Sequence, residues 1–220
     1  MKTKTEVYGM NSVSSGVRLV SAAYDLRELE KAIIASDFDA GNEEPGKVMD
    51  VDVMREYTDR ILSYIDLRHL KPYKVVANTV NGSAGPVINA LEKKLPFAVI
   101  KVNNVFDRSF PYGRPDSASA AQRKATADAV RAESADLGVL WDFDFGTCCL
   151  LDEQGRCIEA DCEGRGMLLW MVLLELASRS HGKPVSELLP ADKISWQELA
   201  QHLTAVRGGT GNPVRADENR

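Results

Sequence analysis

The chain has 220 residues, of which 44% are hydrophobic and 27% charged, and a formal net charge of -5. That length holds one domain with a sizeable core, or one domain plus a fragment. The acidic balance excludes a broad basic face for nucleic acid. An apolar run long enough to span a bilayer and a signal-peptide pattern are both absent from the sequence, so a cytoplasmic location is expected.

Residues 1–21 are polar and rich in Ser and Gly, with a short apolar patch at Val17, Leu19 and Val20. Asp25 with Glu28 has the spacing of a capping box, and Leu26, Leu29, Ile33 and Ile34 follow as an apolar stripe, which predicts a helix. Asn42-Glu43-Glu44-Pro45-Gly46 reads as a loop and a domain boundary. A second helix is predicted from about Asp52 to Tyr64, with Met54, Tyr57, Ile61 and Tyr64 on its core face.

A regular alternation comes next. Tyr73 to Ala77 reads as a strand, and Asn81-Gly82-Ser83-Ala84-Gly85-Pro86 as a turn into a helix bearing Val87, Ile88 and Leu91. Phe97 to Val102 reads as a strand, 103–117 as a loop, and the Ala-rich stretch 118–132 as a helix. Asp136 to Trp141 is the third strand. This β-α-β-α-β order implies an α/β fold, a three-layer parallel sheet with helices on both faces. Cys148 to Leu151 and Cys157 to Glu159 flank a turn at 152–156 and predict a hairpin. An apolar helix is expected over 166–178, and Ser195 with Glu198 opens a last one to about Val206. The Gly-rich, polar stretch from Arg207 onward reads as a loose tail.

The third strand ends in Asp142-Phe143-Asp144. Ligands of open α/β sheets bind at the carboxyl ends of the strands. Alternate residues of an extended segment project to one side, so Asp142 and Asp144 can share a divalent cation such as Mg²⁺. The same two residues also suit a solvated acidic turn. Asn103-Asn104 and Asp107-Arg108 follow the neighbouring strand and face the same edge. The turn at Asn81–Pro86 opens a helix after a strand, as phosphate-binding turns do, but lacks the P-loop lysine. The four cysteines, Cys148, Cys149, Cys157 and Cys162, form no C-x-x-C pair, so they read as reduced and buried rather than as metal ligands.

Several runs together resemble one family. They are Gly9-Met10 with Gly16-Val17-Arg18, then Val75 through Pro86, Ile100-Lys101-Val102-Asn103-Asn104, and Phe110-Pro111-Tyr112-Gly113-Arg114-Pro115. Ala135-Asp136-Leu137-Gly138 leads into the two aspartates, and Asp152-Glu153-Gln154-Gly155 and Gly166-Met167 extend the match. In this order they resemble the α-D-phosphohexomutases, and within them the bacterial phosphomannomutases. The resemblance implies four domains around a cleft and transfer of a phosphoryl group between C1 and C6 of a hexose phosphate. It also implies a phosphoserine, a Mg²⁺ held by three aspartates, a sugar-binding loop and a phosphate-binding loop.

On that resemblance, 1–40 is a remnant of the first domain and 41–160 is the second domain. Residues 161–190 are then a remnant of the third domain, and 191–220 a C-terminal helix and tail. The chain departs from the family at its sites. The metal loop D-G-D-x-D-R becomes Asp142, Phe143, Asp144, Phe145, Gly146 and Thr147. Two metal ligands remain, Asp142 and Asp144, so Mg²⁺ binding should be weakened or lost. No T-A-S-H-N-P stretch precedes Gly9, leaving Ser12, Ser14 and Ser15 as plain loop serines, and the sugar loop G-E-x-S-G-H is missing. Arg207 and Pro213 keep the spacing of the phosphate loop R-x-S-x-T-E-P, which makes Arg207 a phosphate-binding candidate.

The expectation is a truncated, degenerate mutase relative without normal turnover, whose partner, if any, is a hexose phosphate. Two alternatives stay open. Asp142 and Asp144 also resemble the D-x-D-x-T/V motif of haloacid-dehalogenase-type phosphatases, although Thr147 falls one place late. The remnant could instead be a non-catalytic binding module, using the outer face of the 166–178 helix.

Overall fold

The computed structural model describes residues 13–14, 18–19, 25–36, 50–162, 164–188 and 193–208. It divides into two compact units, Met1–Val51 and Asp52–Arg220. In the first unit, strands β1 (Val13–Ser14) and β2 (Arg18–Leu19) pair antiparallel. Helix α1 spans Asp25–Ala35, where the capping-box spacing predicts it. Its expected stripe is exposed at Ile33 and Ile34, which are 56% and 78% accessible. The Leu26 and Leu29 side chains lie outside the described residues, as do Gly9, Met10 and Ser12.

The second unit opens with α2 (Met54–Leu62), whose first turn is held by Asp52 Oδ1 accepting from the Met54 N–H at 3.0 Å. A 3-10 turn at Leu67–His69 leads to the alternating segment. Strand β3 (Lys74–Asn78), helix α3 (Ala84–Leu91), strand β4 (Ala98–Val102), helix α4 (Ala120–Glu133) and strand β5 (Leu137–Trp141) follow the predicted order within a residue or two. Next come β6 (Cys148–Leu151), β7 (Cys157–Asp161), α5 (Gly166–Arg179), α6 (Val185–Leu188), β8 (Lys193–Ser195) and α7 (Trp196–Val206).

All six strands from β3 to β8 share one sheet, in the order β4-β3-β5-β6-β7-β8. β3 runs parallel to both β4 and β5. The sheet is mixed beyond that point, because β5–β6 and β6–β7 are antiparallel and β7–β8 parallel. A parallel sheet therefore holds for the three strands read from the alternation, but not for the whole. The links at 142–147 and 152–156 are too short for a parallel crossover, which needs a dozen or more residues.

Strand alternation sorts the core into two layers. Val75, Ala77, Leu137, Val139, Trp141, Cys148 and Leu150 face a large cluster with α2, α3, α5 and α7. Val76, Leu140, Cys149 and Leu151 face the other way, in smaller clusters to which α4 contributes Ala127 and Val130. The α5 side chains from Met167 to Ser178 are all buried. The expectation of an open outer face on this helix is therefore wrong. Its nearly continuous apolar run leaves no polar side for solvent, and α7 packs along it. α7 itself starts in the predicted capping box. Ser195 Oγ accepts from the Glu198 N–H at 3.2 Å, and Glu198 Oε2 accepts from the Ser195 N–H at 2.9 Å.

Candidate functional site

The carboxyl ends of β3, β4 and β5 lie at one edge, and their following loops interlock there. Asn81 of the first loop donates its N–H to the Asn103 carbonyl at 2.6 Å, and Thr79 Oγ1 donates to the same oxygen at 2.9 Å. Val80, Asn81 and Asn103 all adopt positive φ, the backbone cost of so tight a joint. Ser83 Oγ bonds to the Phe143 carbonyl, and the Ser117 N–H to Asp142 Oδ1. The turn at Asn81–Pro86 is thus a brace between loops, and its serine supports the Asp142–Thr147 loop. Asp107 caps the turn beside it, accepting from the Ser109 N–H at 2.8 Å. Neither Asp107 nor Arg108 lines the cavities that Asp142 borders.

The Asp142–Thr147 loop closes on itself. Asp142 donates its N–H to the Thr147 carbonyl at 3.2 Å, and Phe145 donates to the Asp142 carbonyl at 3.1 Å. The Thr147 hydroxyl bonds to Asp142 Oδ2, and the Gly146 N–H reaches Asp144 Oδ1 at 3.1 Å. Phe143 points out of the loop. Its ring turns out against Phe110, centroids 5.8 Å apart, and Arg114 lies over it at 5.8 Å. Asp142 and Asp144 border a cavity of about 430 Å³ together with Arg114, Pro115, Asp116 and Phe143.

Behind the loop stands the start of α5. Gly166 donates its N–H to the Gly146 carbonyl at 2.9 Å, and its own carbonyl accepts from Trp141 Nε1 at 3.1 Å. A Cβ at Gly166 would come within 2.8 Å of the Phe145 carbonyl oxygen and 2.9 Å of the Thr147 carbonyl carbon. Only glycine lets the helix end approach so closely. Residues 162–165 alone join β7 to this helix, where the resemblance places a sugar loop.

The two carboxylates do not fit a resident Mg²⁺ of the three-aspartate kind. Three of their four oxygens already accept N–H or O–H donors. Among the described residues, no group of three His, Cys, Asp or Glu side chains is placed to hold a metal. The third ligand position, Gly146, has room: a Cβ there would meet nothing closer than Asp144 Oδ1 at 3.4 Å.

Arg207, the phosphate-site candidate, faces inward. Its Nε lies 2.8 Å from Glu175 Oε1, and its Nη2 donates to the Tyr64 carbonyl at 3.0 Å. Residues 209–213, the rest of that resemblance, lie outside the described residues.

Two of the four cysteines depart from their expected reduced state. Cys149 and Cys157 are disulfide-bonded across β6 and β7, with Cα atoms 6.6 Å apart. Cys148 and Cys162 are free and buried, their sulfurs 3.4 Å apart. Adjacent residues of β6 point to opposite faces, which is why the four divide into two pairs rather than one cluster.

Residues 55–155 match the family described as "Phosphoglucomutase/phosphomannomutase, alpha/beta/alpha domain II". The chain is a relative of the phosphohexomutases. It is 33% identical to a phosphomannomutase of Salmonella montevideo over 208 residues, which is 92% of this chain and 43% of that protein. A phosphomannomutase of Vibrio cholerae is 38% identical over 156 residues, 69% of this chain and 34% of that one. The crystal structure of a phosphoglucomutase/phosphomannomutase family protein from Burkholderia thailandensis superposes with a TM-score of 0.54 at 26% identity, covering 70% of this chain and 32% of that one. This phosphohexomutase relative therefore spans less than half the length of the curated proteins it matches. These matches favour the mutase family over the phosphatase alternative. Among the described residues, no helix is long and apolar enough to cross a membrane.

Proposed function

We propose that this chain is a phosphomannomutase/phosphoglucomutase-like protein of carbohydrate metabolism that lacks normal turnover. The supporting observation is the Asp142–Thr147 loop, which has Gly146 at the third carboxylate position and whose two aspartates accept hydrogen bonds from Ser117, Thr147 and Gly146. Phosphoryl transfer is catalysed by positioning and charge neutralisation. A loop with two engaged carboxylates supplies little of either. The same reading gives a hexose phosphate as the small-molecule partner, Mg²⁺ binding that is weak at most, and a cytoplasmic location. It also divides the chain into a first-domain remnant at 1–40, a second domain at 41–160, a third-domain remnant at 161–190 and a C-terminal segment at 191–220. Within it, Arg207 anchors the core through Glu175 rather than holding phosphate.

A coupled assay tests the proposal, using mannose and glucose 1- and 6-phosphates with Mg²⁺ and a sugar bisphosphate activator. No turnover above background is expected. Robust interconversion that Asp142→Ala abolishes would overturn the proposal.

A further inference from the structure

The second cysteine pair points to a chemistry that the mutase reading does not use. Cys148 opens β6, immediately after the aspartate loop, and Cys162 follows the last residue of β7. Their sulfurs lie 3.4 Å apart, and Cys162 Sγ also lies 3.7 Å from the Cys148 carbonyl. Both residues are almost wholly buried, at 3% and 1% exposure. Burial shuts out a protein thiol, whereas a small oxidant reaches such a pair through local opening of the fold.

We propose that Cys148 and Cys162 form an oxidisable dithiol, a modification site that closes to a disulfide with a hydroperoxide as oxidant. One thiol, as its thiolate, attacks the peroxide; the O–O bond breaks, a first water leaves and a sulfenic acid remains. The second thiol displaces the sulfenic hydroxyl as a second water, and the Sγ–Sγ bond forms. Two thiols and one hydrogen peroxide thus give one disulfide and two waters, with two electrons passing to the peroxide.

The bond would tether the aspartate loop. Cys148 adjoins Thr147, which bonds to Asp142 through both its hydroxyl and its carbonyl. Cys162 lies just before Gly166, on which the other side of the loop rests. Closure would tie the exit of the loop to its rear support.

The test uses the full chain carrying Cys149→Ser and Cys157→Ser, so that two thiols remain. The protein is treated with hydrogen peroxide while folded, then denatured and reacted with a maleimide. Loss of both reactive thiols, a Cys148–Cys162 cross-linked peptide and recovery of both thiols with dithiothreitol are expected. Slower amide exchange at 142–148 in the oxidised form should accompany them. Two thiols that survive treatment, or irreversible over-oxidation without a cross-link, would overturn the proposal. Should the double variant fail to fold, peptide mapping of the unsubstituted protein decides the matter, and a pairing of Cys148 or Cys162 with any other cysteine counts against it.

Discussion

The carboxylate of Glu175, in the second half of α5, is bound through both oxygens by Arg207, 32 residues later at the end of α7. Glu175 is completely buried, and the Arg207 side chain is 9% exposed. Arg179 adds a contact to Glu175 at 2.8 Å and reaches Asp66 at 3.0 Å, while the Asp66 N–H donates to Glu175 Oε2 at 3.0 Å. This network fastens the last helix and the 3-10 turn to the middle of the core. Glu175→Ala should lower stability by about 3–5 kcal/mol, because it strands two largely buried arginines. Arg207→Ala should cost less, since Arg179 still pairs with Glu175. Urea unfolding followed by the fluorescence of the buried tryptophans checks both, and equal losses would contradict the asymmetry.

Asp66 makes the same region sensitive to acid. The hydrogen bond from Arg68 holds its carboxyl well below the usual range; burial opposes this and His69 adds to it. A carboxyl whose folded pKa is depressed contributes stability fully above its unfolded pKa of about 3.9, and loses it as the pH falls through the folded value. Asp66→Asn should therefore be less stable than the parent protein at about pH 5, with the gap closing towards about pH 2. Thermal melts across that range measure the gap, and a constant difference would show that Asp66 acts through shape rather than charge.

Gly146→Asp asks whether the loop retains its mutase geometry. The Cβ has space and points near Asp144 Oδ1. A third carboxylate should tighten Mg²⁺ binding in calorimetry, while repulsion among carboxylates slightly lowers stability without metal. Unchanged Mg²⁺ affinity would mean that Asp142 and Asp144 serve only as turn acceptors.

Gly85→Ala should loosen the joint between α3 and the loop after β4. The added Cβ would sit 2.2 Å from the Asn104 carbonyl oxygen, a backbone atom that cannot swing aside. A loss on the order of 1–3 kcal/mol is expected, as for overpacked cores. Retained stability would show that this loop yields easily.

The order of elements was legible because each carries its own period and punctuation. The capping box at Ser195 and Glu198 is a local event, and it forms as read. The burial of α5 was less accessible. Its apolar run told of burial, but the covering partner, α7, is specified only by contacts distant in sequence. The Asp142–Thr147 loop was found from its two aspartates and its place after a strand. Ser83, Ser117 and Gly166 were missed as its supports, because nothing local marks a serine or glycine that serves another segment. Arg207 shows the converse. Its spacing to Pro213 suggested a phosphate loop, whereas the nearby demand was a buried glutamate awaiting a cation. The Cys149–Cys157 bond likewise depends on the β6–β7 register, which pairs Leu151 with Cys157 and sets Cys149 diagonally across from it.

The seat of Gly146 on Gly166 carries a lesson for heredity. Two positions 20 residues apart in the sequence share one backbone contact, so neither can be judged alone. A change at 166 that pushes the helix back would alter what 146 tolerates, and a repair at 146 would succeed or fail by the glycine behind it. Substitutions at such a pair are non-additive. A carboxylate placed at 146 therefore keeps its seat only while 166 stays glycine, and the order in which two such changes are made decides whether the first is tolerated.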